Sequence, residues 1–313
     1  MMNFFYTYTW AKDEVELAHL EQRHLLNDAN GQNYVLTTTN VDVNRSPFVK
    51  MKLSIMYEAQ TLAEVAAFAE QMVYDEATFR VLSLNNIALG QEVKHAFAQR
   101  QEAERTLGNV IAGEPDLKHP QCTFGIVFVD GLWRFGRVEK ADAVWLKHQV
   151  KPHSYSTALN TRMARALVNI AAPQPQGLRV IDPCCGIGTV LVEALSMDIP
   201  ILGRDMNWFV AQGSRKNIAH FGYEGTVELG PIEAVTEHYD VAIIDMPYDL
   251  FTSASYEEQL AIVVEARRIA DRVAFVAIES MHDMFDTAGF TVLDEARVTK
   301  GNSSFSRLLY ICE

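Results

Sequence analysis

Residues 182–189 read Asp182-Pro-Cys-Cys-Gly-Ile-Gly-Thr189, and they follow Leu178 to Ile181, a short segment that reads as a strand. A helix is expected from Thr189 onwards, so the octapeptide spans a strand-to-helix turn. Gly186 and Gly188 would let the backbone of that turn approach a ligand closely, in the crevice at the carboxyl ends of an open α/β sheet. A dinucleotide fingerprint would need a third glycine. Thr189 and Val190 follow instead, which argues against pyrophosphate binding. A turn of this kind also occurs as a bare connection without ligand, so its surroundings decide what it is.

The next strand, Ile199 to Gly203, ends in Gly203-Arg-Asp205, which places a carboxylate 23 residues after Asp182. At that position a carboxylate can accept both hydroxyls of a ribose. A lone Asp there is commonly a turn residue, but the turn and the spacing together point to a ribose-containing cofactor. An adenosyl group without pyrophosphate fits best.

A later strand, Val241-Ala-Ile-Ile244, ends in Asp245-Met-Pro-Tyr248. Asp and Pro both favour turns, so the tetrapeptide alone says little. At a strand carboxyl end beside the crevice it acquires a chemical reading. An exocyclic amine on a nucleobase is planar, with its lone pair delocalised into the ring, and is a poor nucleophile. Acceptors that hold its hydrogens favour a pyramidal nitrogen. The Asp245 carboxylate and a main-chain carbonyl near Met246 or Pro247 can serve, and Tyr248 offers a face for stacking the base, worth about 1–3 kcal/mol.

Outward from these motifs the second half alternates. A helical stripe of Leu159, Met163, Leu167 and Ile170 is followed by the two strands above, a helix over Trp208 to His220, and strands Thr226 to Leu229 and Val241 to Ile244. Helix Glu257 to Ile269, strand Val273 to Ile278, a short helix near Met284 and two last strands, Phe290 to Val298 and Ser304 to Ile311, complete it. This predicts a Rossmann-like, doubly wound α/β domain with a terminal antiparallel hairpin. The first half reads strand Phe4 to Thr9, helix Asp13 to Leu26, strands Tyr34 to Thr39 and Phe48 to Tyr57, a helix through Leu62, Val65, Ala66, Ala69 and Val73, and strand Thr78 to Leu84. That is the β-α-β-β-α-β order of a ferredoxin-like α+β fold. A helix from Leu89 to Leu107 and a hairpin turning at Asp130-Gly131 follow. With 313 residues, and about 150 per domain, two domains are expected, 1–145 and 146–313.

Hydrophobic residues make up 49% and charged residues 21%, which excludes wholesale disorder and fibrous repeats. No apolar run reaches the roughly 18 residues of a membrane span, and residues 2–10 lack the features of a leader, so a soluble, cytoplasmic protein is expected. Cys122, Cys184, Cys185 and Cys312 have neither zinc nor disulfide spacing and read as free thiols. No metal is expected. The 27 Lys and Arg against 40 Asp and Glu leave a net charge of −13, which speaks against nonspecific coating of nucleic acid. One window departs from this. Between Leu132 and Arg165 stand Arg134, Arg137, Lys140, Lys147, Lys151, Arg162 and Arg165 against Glu139 and Asp142, a local +5 that is a candidate polyanion surface.

The second half resembles class I S-adenosylmethionine-dependent methyltransferases of the Asp/Asn-Pro-Pro-Tyr type. More narrowly, the chain is similar to tRNA guanine-N2 methyltransferases with an N-terminal THUMP domain. The likeness is carried by Asp116-Leu-Lys-His-Pro120 with Phe124 to Gly131, by Ser156 to Ile170, and by Asp182 to Glu193. It implies S-adenosylmethionine as cofactor and RNA, with tRNA foremost, as partner. It also implies a cofactor site of Ser156, Thr157, Asp182, Cys184, Gly186, Gly188, Thr189, Asp205, Met206, Ile232 and Asp245, and a catalytic set of Asp245, Pro247 and Tyr248. Two departures stand out. Where the family has an Asp for the adenine amine, this chain reads Leu229-Gly-Pro-Ile-Glu-Ala234, so that contact falls to the Ile232 backbone or to Glu233, or is missing. Met246 replaces the first Pro of the motif. The expected reaction is methyl transfer to guanine N2, with Asp245 stabilising charge on the nitrogen and the base unstacked to reach it. The alternatives are another amine (adenine N6 in DNA or RNA, or a protein glutamine) and a non-catalytic RNA-binding protein with a degenerate site.

Overall fold

The computed structural model describes residues 2–86, 89–90, 94–155, 158–247, 255–299 and 305–313. In chain order the first part holds β1 (Phe4–Tyr8), α1 (Val15–Leu26), β2 (Tyr34–Thr37), β3 (Val49–Ala59), α2 (Leu62–Glu70), β4 (Thr78–Ser83), α3 (Phe97–Val110), β5 (Glu114–Pro115), β6 (Cys122–Val129) and β7 (Leu132–Lys140). The second part holds α4 (Thr161–Ala171), β8 (Val180–Asp182), α5 (Thr189–Leu195), β9 (Ile201–Asp205), α6 (Trp208–His220), β10 (Thr226–Leu229) and β11 (Tyr239–Asp245). It continues with α7 (Tyr256–Ile269), β12 (Ala270–Ala277), α8 (His282–Ala288), β13 (Val292–Thr299) and β14 (Ser306–Cys312).

The chain divides into two compact units, though not by a single cut at 145/146. One comprises Met1–Thr9, Leu26–Val43 and Phe48–Asp142; the other comprises Trp10–Leu25, Asn44–Pro47 and Ala143–Glu313.

The first unit is an α+β layer on a seven-stranded sheet ordered β2-β1-β3-β7-β6-β4-β5. This corrects the ferredoxin-like expectation. β1 and β2 are antiparallel neighbours, not the parallel strands of a split crossover, and β4 pairs in parallel with β6, far from β1. The reason is that α1, expected to cover this sheet, belongs almost wholly to the other unit. The hairpin is as expected: Asp130 and Gly131 both have positive φ (51° and 74°), and Val129 faces Leu132. α2 starts at a capping box in which Thr61 and Glu64 satisfy each other's backbone N–H, and it ends before Val73, which is 91% exposed. α3 begins at Phe97, not Leu89, because Gly90 adopts φ +95° and cannot continue a helix.

The second unit carries a seven-stranded sheet ordered β10-β9-β8-β11-β12-β14-β13. The pairs from β10 through β12 are parallel, and β14 runs antiparallel between β12 and β13, as the terminal hairpin predicts. Strand order reverses between β8 and β11, the topological switch point at which ligands bind such sheets. Asp182, Asp205 and Asp245 end β8, β9 and β11, so three carboxylates converge on that crevice. The strands are apolar through both faces; Ile181, Ala242, Ile244, Val273 and Phe275 share one buried cluster. Asn160 caps α4 (Met163 N–H to Oδ1, 2.8 Å), and Ser255 with Glu258 forms a capping box on α7.

α1 is fastened to this second unit by buried polar groups. Fully buried Glu21 accepts from Asn169 Nδ2 (2.7 Å) and from Ser46 Oγ, while Arg165, 1% exposed, donates to Glu193 (2.7 Å), Ser196 Oγ (2.7 Å) and the Asn44 and Arg45 carbonyls. His148 Nδ1 lies 2.7 Å from the other Glu193 oxygen. Further along, Arg23 pairs with Asp294 through two bonds of 2.8 and 2.9 Å.

Candidate active site

At the switch point lies a cavity of about 520 Å³. Of the residues singled out from sequence, Cys184, Gly186, Asp205, Met206, Ile232, Asp245 and Pro247 line it. Asp182, Gly188 and Thr189 are not among its lining residues. Ser156, Thr157 and Tyr248 fall outside the described residues. The wall is completed by Tyr155 and by Glu258, Ala261 and Ile262 of α7, which no local motif announces because they arrive from distant segments.

Asp205 has the geometry of a ribose ligand. Its Oδ2 accepts the Gly186 N–H (2.9 Å) and its Oδ1 the Asn207 N–H (2.8 Å), which fixes the carboxylate and leaves each oxygen further accepting capacity. Gly186 sits at φ +54°, and a Cβ there would stand 2.6 Å from the Tyr155 hydroxyl. Gly188 serves a different purpose. With φ +77° it begins α5, and a Cβ would collide with Ser214 of α6; it is a packing glycine. Thr189 accepts from Lys151 Nζ (2.9 Å). Asp182 is 3% exposed and accepts the Cys184 N–H at 3.2 Å. Burial, reinforced by the Asp245 and Asp205 charges, holds its carboxyl well above the usual range. Burial likewise pushes the Cys184 and Cys185 thiols up, so neither is a ready nucleophile.

Asp245 is the outlier. Its Oδ1 is shielded from solvent with no hydrogen-bond partner among the described residues, and burial pushes its carboxyl up to about 7, against a weaker opposing pull from Arg307. An unpaired buried acceptor costs roughly 1–3 kcal/mol, which a donor-bearing ligand would relieve. The Met246 substitution has a structural use: its N–H donates to the Val276 carbonyl (2.9 Å), a ladder bond that proline would delete, and its side chain is 3% exposed in the core.

The turn after β10 shows how the missing Asp is accommodated. Arg204 donates to the Pro231 carbonyl (3.0 Å), pairs with Glu228 (2.5 Å) and packs against Gly230 at φ +146°. Ile232 thereby forms an apolar cavity wall, with Glu233 beside it. Apolar Ile232, Met206 and Ile262, the Asp205 carboxylate and an acidic floor suit an adenosyl group bearing a sulfonium charge.

The four arginines of the +5 window are all held by carboxylates. Arg134 is 4% exposed, paired with Glu58 (2.6 Å) and donating to the Val129 carbonyl; Arg137 pairs with Glu76, and Arg162 with Glu14 (3.0 Å). Arg165 is the buried network residue described above. Counting charge along a chain ignores strand partners, and here the partners are carboxylates.

The doubly wound sheet, its antiparallel β14 and the cavity at the strand ends define a class I S-adenosylmethionine-dependent methyltransferase domain. Residues 148–262 match the family model of the RMKL-like methyltransferase domain. The chain is also 26% identical over 241 residues to the tRNA (guanine(10)-N2)-dimethyltransferase of Methanothermobacter thermautotrophicus, covering 70% of this chain and 69% of that one. Its identity to the Pyrococcus abyssi protein of the same name is 24% over 331 aligned positions, covering 95% and 96%. The human U6 snRNA (guanine-N(2))-methyltransferase THUMPD2 is 28% identical over 164 residues, 47% of this chain and 31% of its own length.

Proposed function

We propose that the protein methylates the exocyclic N2 of guanine in RNA, with tRNA as the substrate class. S-adenosylmethionine supplies the methyl group. The chain's own residues do the rest. The observation that carries the reading is the orphaned Asp245 Oδ1 in the cavity wall, an acceptor waiting for a donor. An amine N–H seated there would be held and its nitrogen's developing positive charge stabilised by the carboxylate in a shielded site. A main-chain carbonyl of Met246 or Pro247, which line the cavity beside it, would accept a second N–H. The cavity wall from α7 excludes water. Guanine is preferred over other amines because a relative aligned over nearly the whole chain, and others aligned over part of it, carry guanine-N2 in their names. Asp182, Gly188 and Thr189 act as supports for the glycine turn, and the first unit is the RNA-docking part. Among the described residues no helix is long and apolar enough to cross a membrane, and the four cysteines are free; a cytoplasmic site of action suits both.

The test is direct. Purified protein, S-adenosylmethionine with an isotopic methyl and unmodified tRNA should yield N2-methylguanosine on nucleoside analysis. Label in N6-methyladenosine, or transfer to protein alone, would replace the guanine assignment.

A further inference from the structure

Beside the cavity lies a surface that the methyl-transfer site does not use. α6 starts two residues after cavity-lining Met206, and its first turn presents Trp208 and Phe209 to solvent, 52% and 79% exposed and edge-to-face at 5.1 Å. Trp208, Gln212 and Lys216 follow at four-residue spacing, so aromatic and cationic groups share one helix face. Two bonds tie the segment before Tyr155 to the same helix: the Asn217 side chain receives the His153 N–H (3.0 Å) and donates to the His153 carbonyl (2.9 Å). Gly213 faces His153, where a Cβ would be in ordinary van der Waals contact with that side chain. Tyr155, 46% exposed, carries the surface to the cavity mouth.

The charge pattern is as unusual as the aromatics. Residues 143–181 and 206–223 contain no Asp or Glu, in a chain whose net charge is −13. These two stretches supply His153, Tyr155 and the whole of α6, with Asp205 and Glu224 only at its borders. Solvent-exposed tryptophan and phenylalanine on a carboxylate-free face are costly for a surface with no partner, and they match a polyanion with flat, unpaired rings.

We infer that the Trp208–Phe209 face is a stacking platform for the unpaired nucleotides flanking the target guanine, with Lys216 against their phosphates. The inference rests on the reading of the chain as an RNA methyltransferase. Extruding a guanine into the cavity leaves its neighbours unstacked, and aromatic faces next to the mouth recover that stacking. They would thereby act on substrate affinity without touching the methyl donor.

The experiment compares the parent with Trp208→Ala/Phe209→Ala and with Trp208→Phe. KM for tRNA should rise about ten-fold or more in the double variant, with S-adenosylmethionine affinity by calorimetry unchanged, and Trp208→Phe should restore most of the loss. A short unstructured RNA with one guanine should quench tryptophan fluorescence in the parent and not in Trp208→Phe. Lys216→Glu should flatten the dependence of RNA affinity on log salt by about one unit. If the parent methylates RNA and the double variant keeps KM and oligonucleotide affinity within two-fold, the platform is overturned while the functional reading stands. A double variant that changes only its sedimentation, and not its RNA affinity, would identify the face as a protein interface and overturn the platform too. A parent that neither binds nor methylates RNA removes the functional reading itself.

Discussion

Two groups of buried ionisable side chains sit in the same unit; burial raises the carboxyls of Glu21 in one and Asp245 in the other to about 7, and the groups differ in how their polar atoms are partnered. Around α1, α4 and α5, Glu21, Arg165, Glu193 and His148 are almost fully buried, and each has partners of opposite or complementary character at hydrogen-bond distance. At the switch point, Asp182 and Asp245 are also shielded; Asp182 has like charges nearby, and Asp245 keeps an oxygen with no hydrogen-bond partner among the described residues. The first group holds segments together. The second stores an unfavourable state that a ligand with donors and positive charge would relieve, which is how a functional site differs from a structural one when residue types are similar.

The largest effect is expected in the satisfied group. Arg165→Ala strips Glu193 of its guanidinium and frees two backbone carbonyls, so it should cost about 3–5 kcal/mol and be read as a collapse of the denaturant midpoint or as insoluble protein. Near-parental stability would mean that the network is solvated and the contrast false.

Asp245→Asn should have the opposite profile. Methyl transfer should fall by about 10²–10³-fold in single-turnover kinetics, with cofactor affinity near normal. Because burial raises the Asp245 carboxyl from 3.8 to about 7, ionisation costs folding stability as pH rises through that interval. The Asn variant should therefore melt above the parent at pH 8 and level with it at pH 4. Transfer rates within two-fold of the parent would remove Asp245 from the acceptor role.

The same shift gives a pH profile. The carboxylate accepts the amine hydrogens more strongly than the neutral acid and alone offsets positive charge on the nitrogen, so kcat/KM should climb with pH and level off above an apparent value of about 7. A profile flat from pH 5.5 to 8 would show that Asp245 is already ionised in the free enzyme.

The smallest expected effect belongs to Asp205→Ala. Loss of charge-assisted bonds to a ribose is worth roughly 1.5–3 kcal/mol, about ten-fold or more in cofactor affinity by calorimetry. The variant should remain folded, though Gly186 and Asn207 lose their acceptor. Unchanged affinity would take Asp205 out of the site.

Much of the second unit was legible in the sequence because its signals are local. A short strand followed by a turn with Gly186 and the carboxylates Asp182, Asp205 and Asp245 at three strand ends depend on neighbouring residues, and the structure realises them, as it does the Asp130-Gly131 hairpin of the first unit. The first unit misled in its topology. The β-α-β-β-α-β order was read correctly as elements, but α1 found better partners in Asn169 and Asp294, far along the chain. Gly188 was read as a ligand glycine, and only the proximity of Ser214 shows that it accommodates a helix.

What the sequence determined by itself was the alternation that makes a doubly wound sheet and the chemistry of the three strand-end carboxylates, since period and residue type act over a few residues. The tertiary structure decided which charges are free. Arg134, Arg137 and Arg165 look like a polyanion site in one dimension and are spent on Glu58, Glu76 and Glu193 in three, while Asp245, one acid among 40 in the sequence, has no partner for Oδ1 among the described residues. Electrostatic energy depends on distance and burial, and neither is a property of position along the chain.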